Sequence, residues 1–536
     1  MRWPAARRRG YAASFAQHYR ASLKAVARLF SRSPTGNAGD IMTSTTSLGW
    51  VLVQQPTHWE EGVRRSPFGP IERCSGHWWV PDSGDRQVAG NLAINDSGTA
   101  TLDTFDTLLV DEAAFPPLGH QRFPVIYGDT DRGPVSIAYC RQLGGSIGPG
   151  IRPTESFWSP LTFLGCHIAA PDAQCIERAH IRLPQLVTWA DLESTASGAQ
   201  FSGDGGGFAI SGTWVQPPDV TAQLSFGSLT IHRPLTPDLG NGDFQIGHAV
   251  SASIEPSKPI SIHTLRNEWI RPIAYLSALF AAQTGPVTGL HIDVGGGEKV
   301  CRPVEVVYSG LKRSLPIDEE ADYRRPLLSL DRLASSSEGF SGIVATWMNL
   351  FPKIEPLLDL LFEIVYNQDI QNETAFLAAS QASEVLHRRT KGNSVLLKEQ
   401  HRQRITEILG VCPLEHVAWL KRKLEHSNEP SFYERLEELI ASSPSGVQSL
   451  CTPREPFIRK VVDSRNYRVH FTPRLERRAA TGAQLEWLTD ALVLLLEAHL
   501  LLALGLPHDL VNDVTEKSDR RASLLRNVHL EPSRND

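Results

Sequence analysis

The residues best equipped for chemistry lie late in the chain, in Ile458-Arg459-Lys460-Val461-Val462-Asp463-Ser464-Arg465-Asn466-Tyr467-Arg468-Val469-His470. Ile458, Val461, Val462 and Tyr467 make one apolar side of a helix, and polar groups crowd its C-terminal end. Asn466 and His470 are four apart and share a face. Arg465 and His470 are five apart and diverge by about 140° on an ideal helix. They converge only if the helix ends between them or a second protomer supplies the complement. Between 451 and 480, eight cations (Arg454, Arg459, Lys460, Arg465, Arg468, Arg474, Arg477 and Arg478) face three acids (Glu455, Asp463 and Glu476), in a chain of net charge −6. Such a patch is what phosphate binding asks for. Arg459, Arg468 and Arg474 read as phosphate contacts around Arg465. An arginine and a histidine are enough for one RNA reaction, attack of a 2′-hydroxyl on its own neighbouring phosphorus. The histidine moves the proton and the arginine forks the phosphoryl oxygens. DNA lacks that hydroxyl, so the chemistry restricts cutting to RNA.

These residues need a frame. A chain of 536 residues allows two to four domains. With 41% hydrophobic and 21% charged residues it is an ordinary globular chain, not a disordered, collagen-like or coiled-coil one. Seven cysteines without a Cys-x-x-Cys point to a reducing, cytoplasmic setting. The most apolar run, Ala491–Leu506, is interrupted by Glu497 and His499 and is too short to span a membrane. From Ser47 to Val307 short apolar runs alternate with turn signals such as Asn95-Asp96-Ser97-Gly98 and Gly203–Gly207, which predicts a β-rich sandwich or open barrel. A helix from Ser261 to Thr284 interrupts it. After Pro303–Glu338 the period becomes helical, with helices expected at Phe340–Asn349, Ile354–Tyr366, Asn372–Arg389, Lys398–Leu409, His416–Glu425, Phe432–Ala441, Glu455–Tyr467 and Gln484–Leu504.

The expected organisation is therefore α+β in two domains. A basic extension spans 1–44, a β-rich domain 45–310, a linker 311–338, an all-α bundle 339–512 and a tail 513–536. The extension has no acid before Asp40 and reads as a flexible arm or an amphipathic targeting segment, with Met42 placed to serve as an alternative start. Other motifs read as structure. Gly144–Gly148 spells a nucleophile elbow, but Pro149, Gly150 and Pro153 forbid the helix an elbow needs, so it reads as a loop. Gly295–Lys299 reads as a hairpin turn. Cys166, His167, Cys175 and His180 fit no common zinc spacing. His77-Trp78-Trp79 reads as core aromatics, with ligand display the alternative.

Arg465-Asn466-(three residues)-His470 resembles the Arg-x(4–6)-His signature of HEPN domains. Thr374–Thr390, with Ala382-Ser383-Glu384-Val385-Leu386-His387-Arg388, resembles an earlier helix of the ApeA-like HEPN group. Gly76–Pro81, Val88–Leu92, Val125–Gly128 and Pro259–Ile262 leading into the Trp269 helix resemble the ApeA N-terminal domain, in the same order. The resemblance covers about residues 47–510. It implies a bacterial anti-phage protein with an abortive-infection role, whose HEPN domain is a metal-independent endoribonuclease acting as a homodimer, without cofactor. The N-terminal domain would sense a phage-derived trigger or restrain the nuclease. Arg465 would bind the scissile phosphate and His470 would be the acid/base group. Asn466 would orient substrate or His470, and Glu384 would face the site. The departures are the basic extension and Pro473, which ends the helix promptly. The rival expectations are an inert HEPN module that dimerises or binds RNA, and a ligand-binding β domain with a helical partner.

Overall fold

The computed structural model describes residues 73–81, 86–108, 121–148, 151–190, 196–204, 207–214, 216–238, 245–295, 303–312, 326–367 and 369–527. The basic extension, the strand expected at Gly49–Gln54 and residues 296–299 of the glycine turn lie outside the described residues.

Six antiparallel strands close a barrel: β1 (Arg73–Trp79), β2 (Val88–Ile94), β3 (Ala100–Thr104), β4 (Arg122–Thr130), β5 (Gly133–Gly148) and β6 (Ile151–Ser159). Their order is β5-β4-β1-β2-β3-β6, and β6 pairs back onto β5. Alternating residues turn inward, so Trp78, Leu92, Leu102, Ile126, Ile137 and Phe157 fill the barrel. The Trp78 indole donates to the Gly90 carbonyl at 3.2 Å. Its ring lies across Gly128, where a Cβ would stand 2.4 Å from it. The Asn95–Gly98 turn joins β2 to β3, with the Asn95 Oδ1 accepting from the Thr99 backbone N at 3.1 Å. Gly144–Gly148 is strand rather than loop. Ser146 faces Thr154 in β6, and two register shifts absorb the glycines.

The N-terminal half of β5 leaves the barrel by pairing with β7 (Leu161–Leu164). An open antiparallel sheet continues from there through β17 (Val304–Tyr308), β16 (Gly289–Val294), β8 (Ile176–Arg182), β15 (Ser251–Pro256), β12 (Gly227–His232) and β11 (Val220–Leu224). Two hairpins stand apart, β9 (Ala196–Asp204) with β10 (Gly207–Trp214), and β13 (Leu235–Asp238) with β14 (Gln245–His248). One sheet face is apolar (Ala179, Ile181, Leu229, Ile231, Ile254, Ile292) and lies in one core cluster with α1 (Pro184–Ala190) and α2 (Arg271–Ala281). The other face carries a polar row, His232, Ser253, His180 and His291. The helix expected from Ser261 begins with a Ser261 cap, passes through a π-turn at Leu265–Ile270 and ends at Ala282 in the left-handed region.

The helical region starts inside the expected linker, where α3 (Leu330–Ala334) buries Leu330 and Leu333. The two helices expected on either side of Pro352 are one, α4 (Gly339–Tyr366), with Pro352 and Pro356 inside it. Proline removes one backbone donor, but Phe340, Ile343, Trp347, Phe351, Ile354 and Leu358 make an unbroken buried stripe that holds the helix together. Then come α5 (Asn372–Thr390), α6 (Lys398–Gly410), α7 (Leu414–Lys423), α8 (Phe432–Ala441), α9 (Ser445–Leu450), α10 (Arg454–His470), α11 (Gly482–Ala503), α12 (His508–Glu516) and α13 (Asp519–Arg526). The segment expected as a tail is helical as far as Arg526. Leu524 is buried, and its carbonyl accepts from the Trp487 indole at 3.2 Å. Helix α11 is apolar almost all round because it runs through the centre of the bundle. A single hydrophobic cluster extends from the open sheet through α2 and α4 to α11, while the barrel keeps a separate core.

Candidate active site

Helix α10 is held by a narrow stripe. Phe457, Ile458, Val461 and Ser464 are buried, and Phe457 meets Trp487 of α11 edge-on at 6.2 Å. The helix runs unbroken through His470. Phe471 then turns into the left-handed region (φ 48°), and its backbone N donates to the Tyr467 carbonyl at 2.6 Å. Ser464 and Arg468 fasten the following loop. The Ala480 N donates to the Ser464 hydroxyl at 2.8 Å, and Arg468 Nη2 donates to the Ala480 carbonyl at 2.6 Å.

Since α10 does not end between Arg465 and His470, one chain holds them about 140° apart around the axis. The helix end that the sequence allowed between them lies instead after His470.

Arg465 lies where α5, α8 and α10 meet. Its Nη1 donates to Asn466 Oδ1 at 3.2 Å, its Nη2 stands 3.8 Å from Glu384 Oε2 on α5, and its guanidinium lies 5.7 Å from the Phe432 ring centre on α8. Its side chain is one-third exposed. Glu384 is thus brought to Arg465, but it also accepts from Arg388 Nη2 at 3.2 Å, one helical turn on. At 3.8 Å and partly exposed, the Arg465–Glu384 pair is loose enough for a phosphate to compete for the guanidinium. His470 shares the outer face with Asn466. It is exposed, and among the described residues it has no hydrogen bond or ion pair.

The other expected phosphate contacts separate. Arg459 lies on the His470 face, paired with Glu455 at 2.7 Å and 5.9 Å from the Tyr433 ring centre. Arg474 is exposed on the turn after the helix. Arg468 does not join the site. It lies about 60° round α10 from Arg465 and on the side away from His470, bound to the Ser464 and Ala480 carbonyls and 5.8 Å from the Phe376 ring centre, and burial pushes its guanidinium below its ordinary pKa.

Residues 73–340 match the family model described as ApeA N-terminal domain 1, and residues 377–510 match that of the Apea-like HEPN domain. The chain belongs to the ApeA-like HEPN family. No curated protein and no solved structure matches it. The two domains place the protein with anti-phage defence and give it a nuclease-type HEPN region. No helix among the described residues is long and apolar enough to cross a membrane.

Behind the ApeA-like HEPN site lies a buried polar cluster that sequence reading passed over. His387 of α5 contacts Glu438 Oε2 through Nε2 at 2.7 Å and Arg435 Nη1 through Nδ1 at 3.1 Å. Both His387 and Arg435 are buried, and burial pushes the Arg435 guanidinium below its ordinary pKa. The cluster locks α5 to α8, and so fixes Glu384 against Phe432 and Arg465. A signal was present: Arg435 falls three after Phe432 and four before Leu439, on the apolar stripe of its helix.

In the ApeA N-terminal domain, Trp78 is core but Trp79 points outward, 5.9 Å from Tyr127 and 5.2 Å from His167 between ring centres. His167 stacks on Tyr127, while His180 lies in the polar row of the sheet.

Proposed function

We propose that the protein is a metal-independent endoribonuclease of anti-phage defence, acting as a homodimer in the bacterial cytoplasm and restrained by its N-terminal domain until a phage-derived trigger arrives. The observation that carries this reading is Arg465, one-third exposed and only loosely paired with Glu384, on the same helix as an exposed and unpartnered His470. The imidazole takes the proton of the 2′-hydroxyl as its oxygen attacks phosphorus. As the P–O5′ bond breaks, the imidazolium gives that proton to the departing 5′-oxygen, so the products are a 2′,3′-cyclic phosphate and a 5′-hydroxyl. Arg465 holds the phosphoryl oxygens in its fork and offsets charge developing on them. Asn466, beside Arg465 and on the His470 face, orients the substrate. Glu384 keeps the Arg465 fork in place until phosphate arrives.

In the proposed homodimer two α10 helices pair so that Arg465 of one copy faces His470 of the other. Val469 and Phe471, both exposed apolar residues flanking His470, supply surface for that contact.

The test is to sequence RNA 5′-hydroxyl ends in bacteria producing wild type or His470→Ala, with and without phage. Phage-dependent ends present only with wild type are expected. Protection from phage by both proteins with identical RNA would replace the nuclease with an inert RNA-binding or dimerising HEPN module.

A further inference from the structure

Between α5 and α8 the chain makes an excursion that its own fold does not explain. Helices α6 and α7 bury no residue at all. A helix pair that buries nothing is not retained for the sake of the core. Its apolar side chains stand in solvent instead, with Leu397 70%, Val411 86%, Leu414 93% and Trp419 54% exposed. Its six cations, Lys398, Arg402, Arg404, Lys421, Arg422 and Lys423, hold no ion pair among the described residues.

The arm is rooted at the rim of the candidate site. It departs from α5, which carries Glu384, and returns to α8, which carries Phe432 beneath Arg465. Asn428 closes its base. The Val395 N donates to the Asn428 carbonyl at 2.8 Å, and the Leu396 N donates to Asn428 Oδ1 at 2.9 Å. Charged side chains link base to site, since Glu429 lies 3.6 Å from Arg388, which donates to Glu384 at 3.2 Å, which faces Arg465 at 3.8 Å.

We infer that this arm is the grip that holds single-stranded RNA leading into the site. The inference rests on the ribonuclease reading and adds a binding surface to it. On α7, Trp419 lies three residues before Arg422 and four before Lys423, so the three share one face. An exposed ring flanked by cations one turn away is the arrangement that stacks an unpaired base and holds its phosphates. Duplex RNA keeps its bases stacked on each other and offers none to the ring. Helix α6, about 20 Å long, carries Lys398 and Arg402 on one side to continue the contact. Six cations against the three acids of these helices, Glu399, Glu407 and Glu415, leave the arm net positive, which favours RNA over a second copy of equal charge.

The test uses the full chain carrying His470→Ala, so that RNA is bound without being cut. The probe is a fluorescein-labelled single-stranded RNA of mixed sequence, compared with the same strand annealed into a duplex. Adding Trp419→Ala is expected to weaken single-strand binding about tenfold, and Trp419→Phe to restore most of it. Adding Arg422→Glu with Lys423→Glu is expected to weaken it further and to lower the slope of log K against log salt by about 1.4. Duplex binding and the mass by light scattering stay unchanged. In the His470 wild type, the arm changes raise KM on long RNA and leave cleavage of a dinucleotide as it was. Unchanged single-strand affinity in both arm variants overturns the inference. If the mass falls at the same time, the arm is a contact between copies instead. Loss of binding with Arg465→Ala but not with the arm variants leaves the nuclease standing and removes the arm. Absence of RNA binding and cleavage by the wild type removes both.

Discussion

Two polar constellations of the molecule use the same residue types in opposite ways. On the open sheet, His232 is held at both ring nitrogens, with Asp219 Oδ2 at 2.6 Å from Nδ1 and Ser253 Oγ at 2.7 Å from Nε2. Ser253 in turn meets His180 Nδ1 at 2.8 Å. One set of hydrogens satisfies the whole chain. His180 donates to Ser253, Ser253 donates to His232, and His232 donates to ionised Asp219. On α10, His470 is held at neither nitrogen among the described residues, and the Arg465 pair to Glu384 is long. The first constellation spells serine, histidine and aspartate at hydrogen-bond spacing, yet Ser253 is buried in mid-strand with both its partners engaged. Closed hydrogen bonding knits strands together, whereas open valences at an exposed helix end await a ligand. The contrast separates a histidine with both nitrogens engaged from one free to meet a ligand, which residue identity alone does not do.

Four changes would break or sharpen that contrast. The largest effect belongs to the open constellation. His470→Ala should lower RNA cleavage by about 10³, within the range of general acid–base catalysis, and leave the melting temperature unchanged. A matching fall in Tm would make His470 structural. Next is Arg468→Ala, on the closed side of α10. It should cost about 2–3 kcal/mol of stability in urea melts, because a charged donor leaves the Ala480 carbonyl, while folded molecules still cut RNA. Full stability with lost cleavage would return Arg468 to the site.

The third effect is on the sheet and runs with pH. Burial, helped by Arg178, His232 and His291, pushes His180 down from 6.5 to about 4. The unfolded chain therefore takes up this proton below pH 6.5 and the folded chain only near pH 4. Stability from this group is full above 6.5, falls between 6.5 and 4 by on the order of 3 kcal/mol, and then levels. As pH falls through that window the urea midpoint of wild type should drop relative to that of His180→Gln, which has no group to titrate there, and parallel curves would contradict the assignment. The smallest effect is Arg459→Ala, expected to reduce the salt slope of RNA binding by about 0.7 and to leave stability within about 0.5 kcal/mol.

Much of the frame was legible because it rests on local signals. The change from β to helical period, the Asn95–Gly98 turn and the ends of the Phe432–Ala441 helix all follow from short-range chemistry. What sequence missed depends on distant partners. Closure of the barrel needs β5 to serve three neighbours, which its glycines and bulges conceal. The proline-containing helix survives because a buried stripe outweighs the two missing donors of Pro352 and Pro356. Within the site, the helix carrying Arg465, Asn466 and His470 could be read directly. That Glu384, 81 residues earlier, comes to Arg465 could not be read from spacing and entered only through the resemblance. Nor could the separation of Arg468 from Arg465, since both are arginines in one basic run and only their neighbours tell them apart.

The most direct test of a site shared between two copies is complementation. Arg465→Ala and His470→Ala chains, each inactive alone, are unfolded together, refolded and assayed on RNA. With random pairing about half the dimers are mixed, and each mixed dimer has one site with both groups intact, so about a quarter of wild-type activity should return. Two inactive proteins that stay inactive when mixed, despite exchange of subunits, would place both residues in a site within one chain and contradict the account.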